Sequence, residues 1–250
     1  MTRSPLSLKP EDPVLVDPFS KKGALVLFWL LARRGMGGGE EFSINQAARS
    51  LAVGPFTVHR VIRTLEYDGI IRTKGIGTKK RFYLAEPKAL LIRWLRHYRI
   101  QRKGKLHRYG PTDPQKFSAK RELFLSALLM PALHTAAQSI FHVGVTNLKS
   151  VEGYVSGVAS LELLIHKFGL VEQERGYEVL LVEPYYLGVV EQFSQCREDS
   201  IWRSAFAVLT FLDLYHFPIR GREQAEALYR KIPALNSLGS WDDFESIEVT

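Results

Sequence analysis

Cysteine is nearly missing from this chain of 250 residues: Cys196 stands alone. A single thiol excludes an intramolecular disulfide framework and any Cys-cluster zinc site, and it fits a reducing compartment. No window approaches the run of about 18 uncharged apolar residues that a membrane helix needs, so no membrane span is expected. The first residues, MTRSPLSLKPEDP, lack the apolar stretch of a secretory leader. The expectation is a soluble cytoplasmic protein. Catalytic signatures are missing too: H-E-x-x-H, G-x-S-x-G, the P-loop and G-x-G-x-x-G do not occur. The Gly35–Gly39 cluster follows a helical stretch and not a strand, so it reads as a connector and not as a phosphate cradle. His134 and His142 flank an expected helix–strand break and make a poor metal pair, and Cys196 has no matched histidine. LGSWDDFE, Leu238 to Glu245, is superficially like a nucleotidyltransferase signature, but its acids lack the intervening strand that sharing a metal requires. The expectation is a chain with no enzymatic activity, no cofactor and no metal.

What the chain does have is charge, unevenly placed. Residues 1–125 hold 25 Lys/Arg against 10 Asp/Glu, and residues 126–250 hold 9 against 16. The halves therefore carry +15 and −7, which sum to the overall +8. One half attracts polyanions and the other does not, the distribution of a nucleic-acid module joined to something else.

The chain divides by texture into five parts. Residues 1–20, rich in proline and polar residues, read as an extended arm. Residues 21–98 read as a DNA-binding unit, residues 99–116 as a basic linker, residues 117–235 as an α+β domain, and residues 236–250 as an acidic, loose tail. KKGALVLFWLLARR predicts a helix with Val26, Trp29 and Leu30 on one buried face. Ser43 caps a short helix, and Pro55 suits the first turn of the next. In that third helix Val58, Val61, Ile62 and Leu65 fall at i, i+3, i+4 and i+7 and form one apolar stripe. IIRTK, GIGT and KKRFYL then predict strand, loop and strand with a basic tip. In the second half VEGYVSG and YEVLLVEP are strand-like, while VASLELLIHKFG, SAFAVLTFLDLYHF and REQAEALYRKI have helical spacing, so the fold class is α+β.

Two short helices, a tight turn and a hairpin are the parts of a winged helix-turn-helix. A third helix that hides its aliphatic stripe must turn its other face outward, and an α-helix fits the B-DNA major groove. Thr57, His59, Arg60, Arg63 and Thr64 lie on or beside that face. Asn45, Gln46 and Arg49 of the preceding helix join the candidate DNA-binding set. Lys74, Thr78, Lys79, Lys80 and Arg81 place the wing's charge along the flanking backbone or minor groove. INQAARSLAVGPFTVHRVIRTLEYDGII is similar to the winged-helix pattern of many bacterial regulators, departing by Gly54-Pro55 where a serine cap is usual. Arg93, Arg96, Arg99, Arg102, Lys103, Lys105 and Arg108 would give a flexible linker salt-dependent affinity for the same polyanion.

YVSG, LELLIHKFGLVEQERGYEVLLVEP and LTFLDLYHFPIRGREQAEALYRKI, in that order, resemble the C-terminal domain of AbiEi-type antitoxins, the regulators of type IV toxin–antitoxin systems. Phe168-Gly169-Leu170 replaces that family's leucine-led triplet. The resemblance implies a repressor of its own operon, bound to double-stranded DNA and functionally paired with a nucleotidyltransferase toxin, while the apolar, acidic character of the second domain suits a homo-oligomer or another protein partner. Two rivals stay open. One is a plasmid or mobile-element protein that binds DNA for replication or transfer; the other is an enzyme with an unrecognised site in the C-terminal domain.

Overall fold

The computed structural model describes residues 15–35, 41–145, 147–245 and 247–248. The expected arm therefore enters the description only at its end, and most of the Gly35–Gly39 connector lies outside the described residues. Helices and strands mix along the whole chain, and the fold is α+β as expected. The first part runs α1 (Lys21–Gly35), β1 (Glu41–Phe42), α2 (Ile44–Leu51), α3 (Pro55–Tyr67), β2 (Ile71–Lys74), β3 (Arg81–Leu84) and α4 (Pro87–His97). Next come α5 (Ile100–Lys103), β4 (Lys105–Pro111), α6 (Pro114–Ala119), α7 (Arg121–Ala127), β5 (Met130–Pro131) and α8 (Leu133–Ser139). The chain continues through β6 (Val151–Tyr154), α9 (Val158–Phe168), β7 (Leu170–Glu172) and β8 (Val179–Glu183). It ends with α10 (Leu187–Gln195), α11 (Ser200–Tyr215), α12 (Gly221–Lys231) and α13 (Pro233–Asn236).

Local chemistry sets the ends of α2 and α3. The Ser43 hydroxyl accepts from the Gln46 amide at 3.2 Å, satisfying one of the orphan donors at the start of α2. Ala52 closes that helix at φ +51°, left-handed backbone unusual outside glycine. Pro55 then opens α3 after Gly54, which offers no side-chain cap. Gly69, at φ +73°, ends it, and the Ile70 amide returns to the Leu65 carbonyl at 2.9 Å. β3 lies between β1 and β2 in a small antiparallel sheet, with Thr73 opposite Phe82 and Phe42 opposite Phe82 on the other side. Trp29 of α1 meets Phe42 edge-on at 5.3 Å, fastening this sheet to the helices.

The larger sheet has the order β5-β6-β8-β4-β7, antiparallel except for the β6–β8 pair. β8 shows the period of two plainly. Leu180 and Val182 point into the main core, while Val179 and Leu181 point into a second core under α6, α7 and α9. Here the expected basic linker over 99–116 is corrected, because β4 fills an inner position of this sheet between β8 and β7. Its cations do not prevent pairing, since Lys105 and His107 share the Glu183 carboxylate across the ladder at 3.5 and 3.0 Å.

Two further expectations change. The tail is not loose: among its described residues Leu238, Trp241, Phe244 and Ile247 are buried, and Lys88 of α4 pairs with Asp243 at 2.6 Å. α1 is not one-faced either, for every residue from Val26 to Ala32 is buried. It packs on α2 and α3 on one side and on α10, α11 and α13 on the other. A single apolar cluster consequently runs from Phe19 to Ile247, and the units expected over 21–98 and 117–235 share it. The described end of the arm is docked as well, with Phe19 buried 5.8 Å from Trp94.

Candidate nucleic-acid interface

α3 buries Val58, Val61, Ile62 and Leu65 beneath it. At about 100° per residue, the direction opposite that stripe belongs to Phe56, Arg60, Arg63 and Tyr67, with His59 at its flank. Phe56 and Tyr67 are 72% and 70% exposed, His59 and Arg63 are exposed, and Arg60 is half-buried with its guanidinium 5.7 Å from the Phe56 ring centre. Asn45, Gln46 and Arg49 are exposed on α2, where Arg49 Nε donates to the Asn45 carbonyl at 3.3 Å.

Thr57 is only half-buried at the margin of the face, and Thr64 must be removed from it. Thr64 is buried; its hydroxyl accepts from the Val16 amide at 3.1 Å and donates to the Arg60 carbonyl at 3.2 Å. The segment entering α1 covers this position, so Thr64 holds that segment and reads nothing outside.

The hairpin divides its cations. Lys79 and Arg81 are exposed, with Arg81 donating to the Lys80 carbonyl at 3.2 Å. Lys74 pairs with Glu41 at 3.2 Å, both well exposed. Thr78 lies in the turn between β2 and β3, and its side chain falls outside the described residues. Lys80 is turned inward, 3.4 Å from the Glu66 carboxylate and 5.0 Å from the Phe82 ring centre. The turn itself needs Gly75, at φ +81°, because a Cβ there would stand 2.7 Å from the Lys79 carbonyl. Ile76, beside it, is 92% exposed.

Glu66 ties helix to hairpin. It receives Arg63 at 2.7 Å, the Thr73 hydroxyl at 3.1 Å and Lys80. Partial burial works against its charge, but the Arg63 hydrogen bond, the Lys80 ammonium and the Thr73 hydroxyl outweigh that and hold the carboxyl below its usual range. Sequence reasoning assigned no role to Glu66, although its spacing of three from Arg63 signals the pair. It also passed over Phe56, an apolar residue standing off the apolar stripe. That displacement was the available signal.

The outward surface thus joins a groove-sized helix to a hairpin through one acid and leaves His59, Arg60, Lys79 and Arg81 directed at solvent. It offers several cations and an exposed helix face to solvent. Elsewhere, no group of three or more His, Cys, Asp or Glu residues able to hold a metal occurs among the described residues. His134 Nδ1 sits 3.2 Å from Glu152, and both are buried. Among the described residues no helix is long and apolar enough to cross a membrane. No protein-family model, curated protein or solved structure matches the chain.

Proposed function

We propose that this protein is a winged-helix DNA-binding transcriptional regulator. The observation that carries the proposal is the outward face of α3, where Arg60 and Arg63 stand over a wholly buried aliphatic stripe beside a hairpin tipped with Lys79 and Arg81. α2 and α3 supply the helix-turn-helix, and β2 and β3 the wing. In the major groove α3 would meet base edges, while the wing would meet a phosphate backbone or the minor groove. Arg63 is not lost to this role by pairing with Glu66, because a half-exposed ion pair contributes at most about 1 kcal/mol and exchanges readily for phosphate. The resemblance of residues 154–232 to AbiEi-type antitoxins supports a cytoplasmic repressor of its own operon, associating with itself and countering a nucleotidyltransferase toxin. Survival of cells expressing such a toxin, with and without this chain, tests that narrower half.

The DNA-binding half is tested by footprinting on the region upstream of its own gene. Arg60→Ala combined with Arg63→Ala is expected to abolish the footprint while the thermal midpoint stays within a few degrees of the parent. An unchanged footprint contradicts the proposal.

A further inference from the structure

We infer that Phe56 and Arg60 form a compound reader of a thymine beside a guanine in duplex DNA, an inference that rests on the DNA-binding reading above. Phe56 is the second residue of α3 and 72% exposed, standing off the buried stripe of Val58, Val61, Ile62 and Leu65. The neighbouring Gly54 has nothing within 4 Å of its Cβ position, so the approach to this end of α3 is open. One turn later the Arg60 guanidinium rests 5.7 Å from the Phe56 ring centre. Arg63 and Lys80 share Glu66, but Arg60 makes no ion pair among the described residues. It is the unneutralised cation at the middle of the face, and the ring restricts where its donors point.

Those two groups match two features of the major groove. Thymine is distinguished there by its C5 methyl, and guanine offers N7 and O6 as a fork that a guanidinium fits bidentately. Residues four apart on a helix are displaced by about 6 Å along its axis, so the pair spans one or two base-pair steps. A ring 5.7 Å from the guanidinium places the methyl contact next to the guanine contact. Single-stranded nucleic acid is the weaker match. A stacking platform needs aromatics in close succession, whereas Phe56 and Tyr67 stand at opposite ends of α3.

Selection of duplexes from a random library by the full chain tests the inference, followed by binding of the selected duplex with its thymine replaced by deoxyuridine. Wild type should enrich a motif with thymine beside guanine and lose about fourfold in affinity on removal of the methyl. Phe56→Ala should be indifferent to that removal, and Arg60→Lys should lose roughly tenfold of its preference for guanine. Equal affinity of wild type for the thymine and deoxyuridine duplexes overturns the inference and leaves the DNA-binding reading intact; this arm needs no variant to fold. A motif without the thymine–guanine step does the same. Enrichment of no duplex motif, or preference for single strands, overturns the DNA-binding reading and the inference with it.

Discussion

Asp213 is the residue on which two elements converge. It lies fully enclosed on α11 and receives the hydroxyl of Tyr98, just past α4, at 2.5 Å, and that of Tyr154 from β6. Burial pushes its carboxyl up to about 7, although both tyrosine bonds pull the other way. A carboxyl raised in the folded state binds a proton that the unfolded chain releases near pH 4. Its contribution to stability is therefore complete below pH 4 and is lost as pH rises to 7. The shift from 3.8 to about 7 corresponds to roughly 4 kcal/mol across that window. Asp213→Asn, which keeps the shape and cannot ionise, should flatten the fall in urea midpoint between pH 4 and 7. Parallel midpoint curves for the two proteins would show that Asp213 does not titrate in the fold.

At the scale of elements, the hairpin's cations have unequal duties. Lys79 and Arg81 face solvent while Lys80 is turned inward, between Glu66 and the Phe82 ring. Neutralising Lys79 and Arg81 together should lower the salt dependence of DNA binding by about two counterions, and neutralising Lys80 should leave it nearly unchanged. Equal effects at all three positions, in a titration of affinity against salt, would refute that division. α2, α3 and the hairpin were legible in sequence because their apolar spacing is local: the stripe of α3 needs no partner to be seen. β4 was not legible. Its basic residues resemble a solvated linker until Glu183, far along the chain, is set opposite them. Trp241, Phe244 and Ile247 recur every third residue, but the acids between them hid that pattern. Thr64 looked outward because nothing in its own helix shows that Val16 lies across it.

Across the whole molecule, the apolar cluster that includes α1, α3, α11 and the tail removes the boundary expected from composition. Phe19, Trp94, Tyr98 and Tyr186 interlock at that junction, and Trp94 Nε1 donates to the Tyr186 hydroxyl at 2.8 Å. Residues 21–98 and 117–235 should therefore unfold together. Urea titrations followed by tryptophan fluorescence and by far-ultraviolet circular dichroism are expected to superimpose as one transition. Two separated transitions would mean that the shared core does not couple them. Charge asymmetry was a poor guide to where one folding unit stops, since α1 keeps its cations at its two ends, Lys21, Lys22, Arg33 and Arg34, and buries every residue from Val26 to Ala32 between them.

Clamping α1 between α3 and α11 also has a geometric consequence. α3 shares one core with α1 and α11, so its bearing is that of the body behind it. Two copies joined at any single contact would present their α3 helices at one separation and one angle. Under the proposed DNA-binding function, such a pair would measure the distance between half-sites as a rigid caliper does, with no slack to absorb an inserted half turn of DNA.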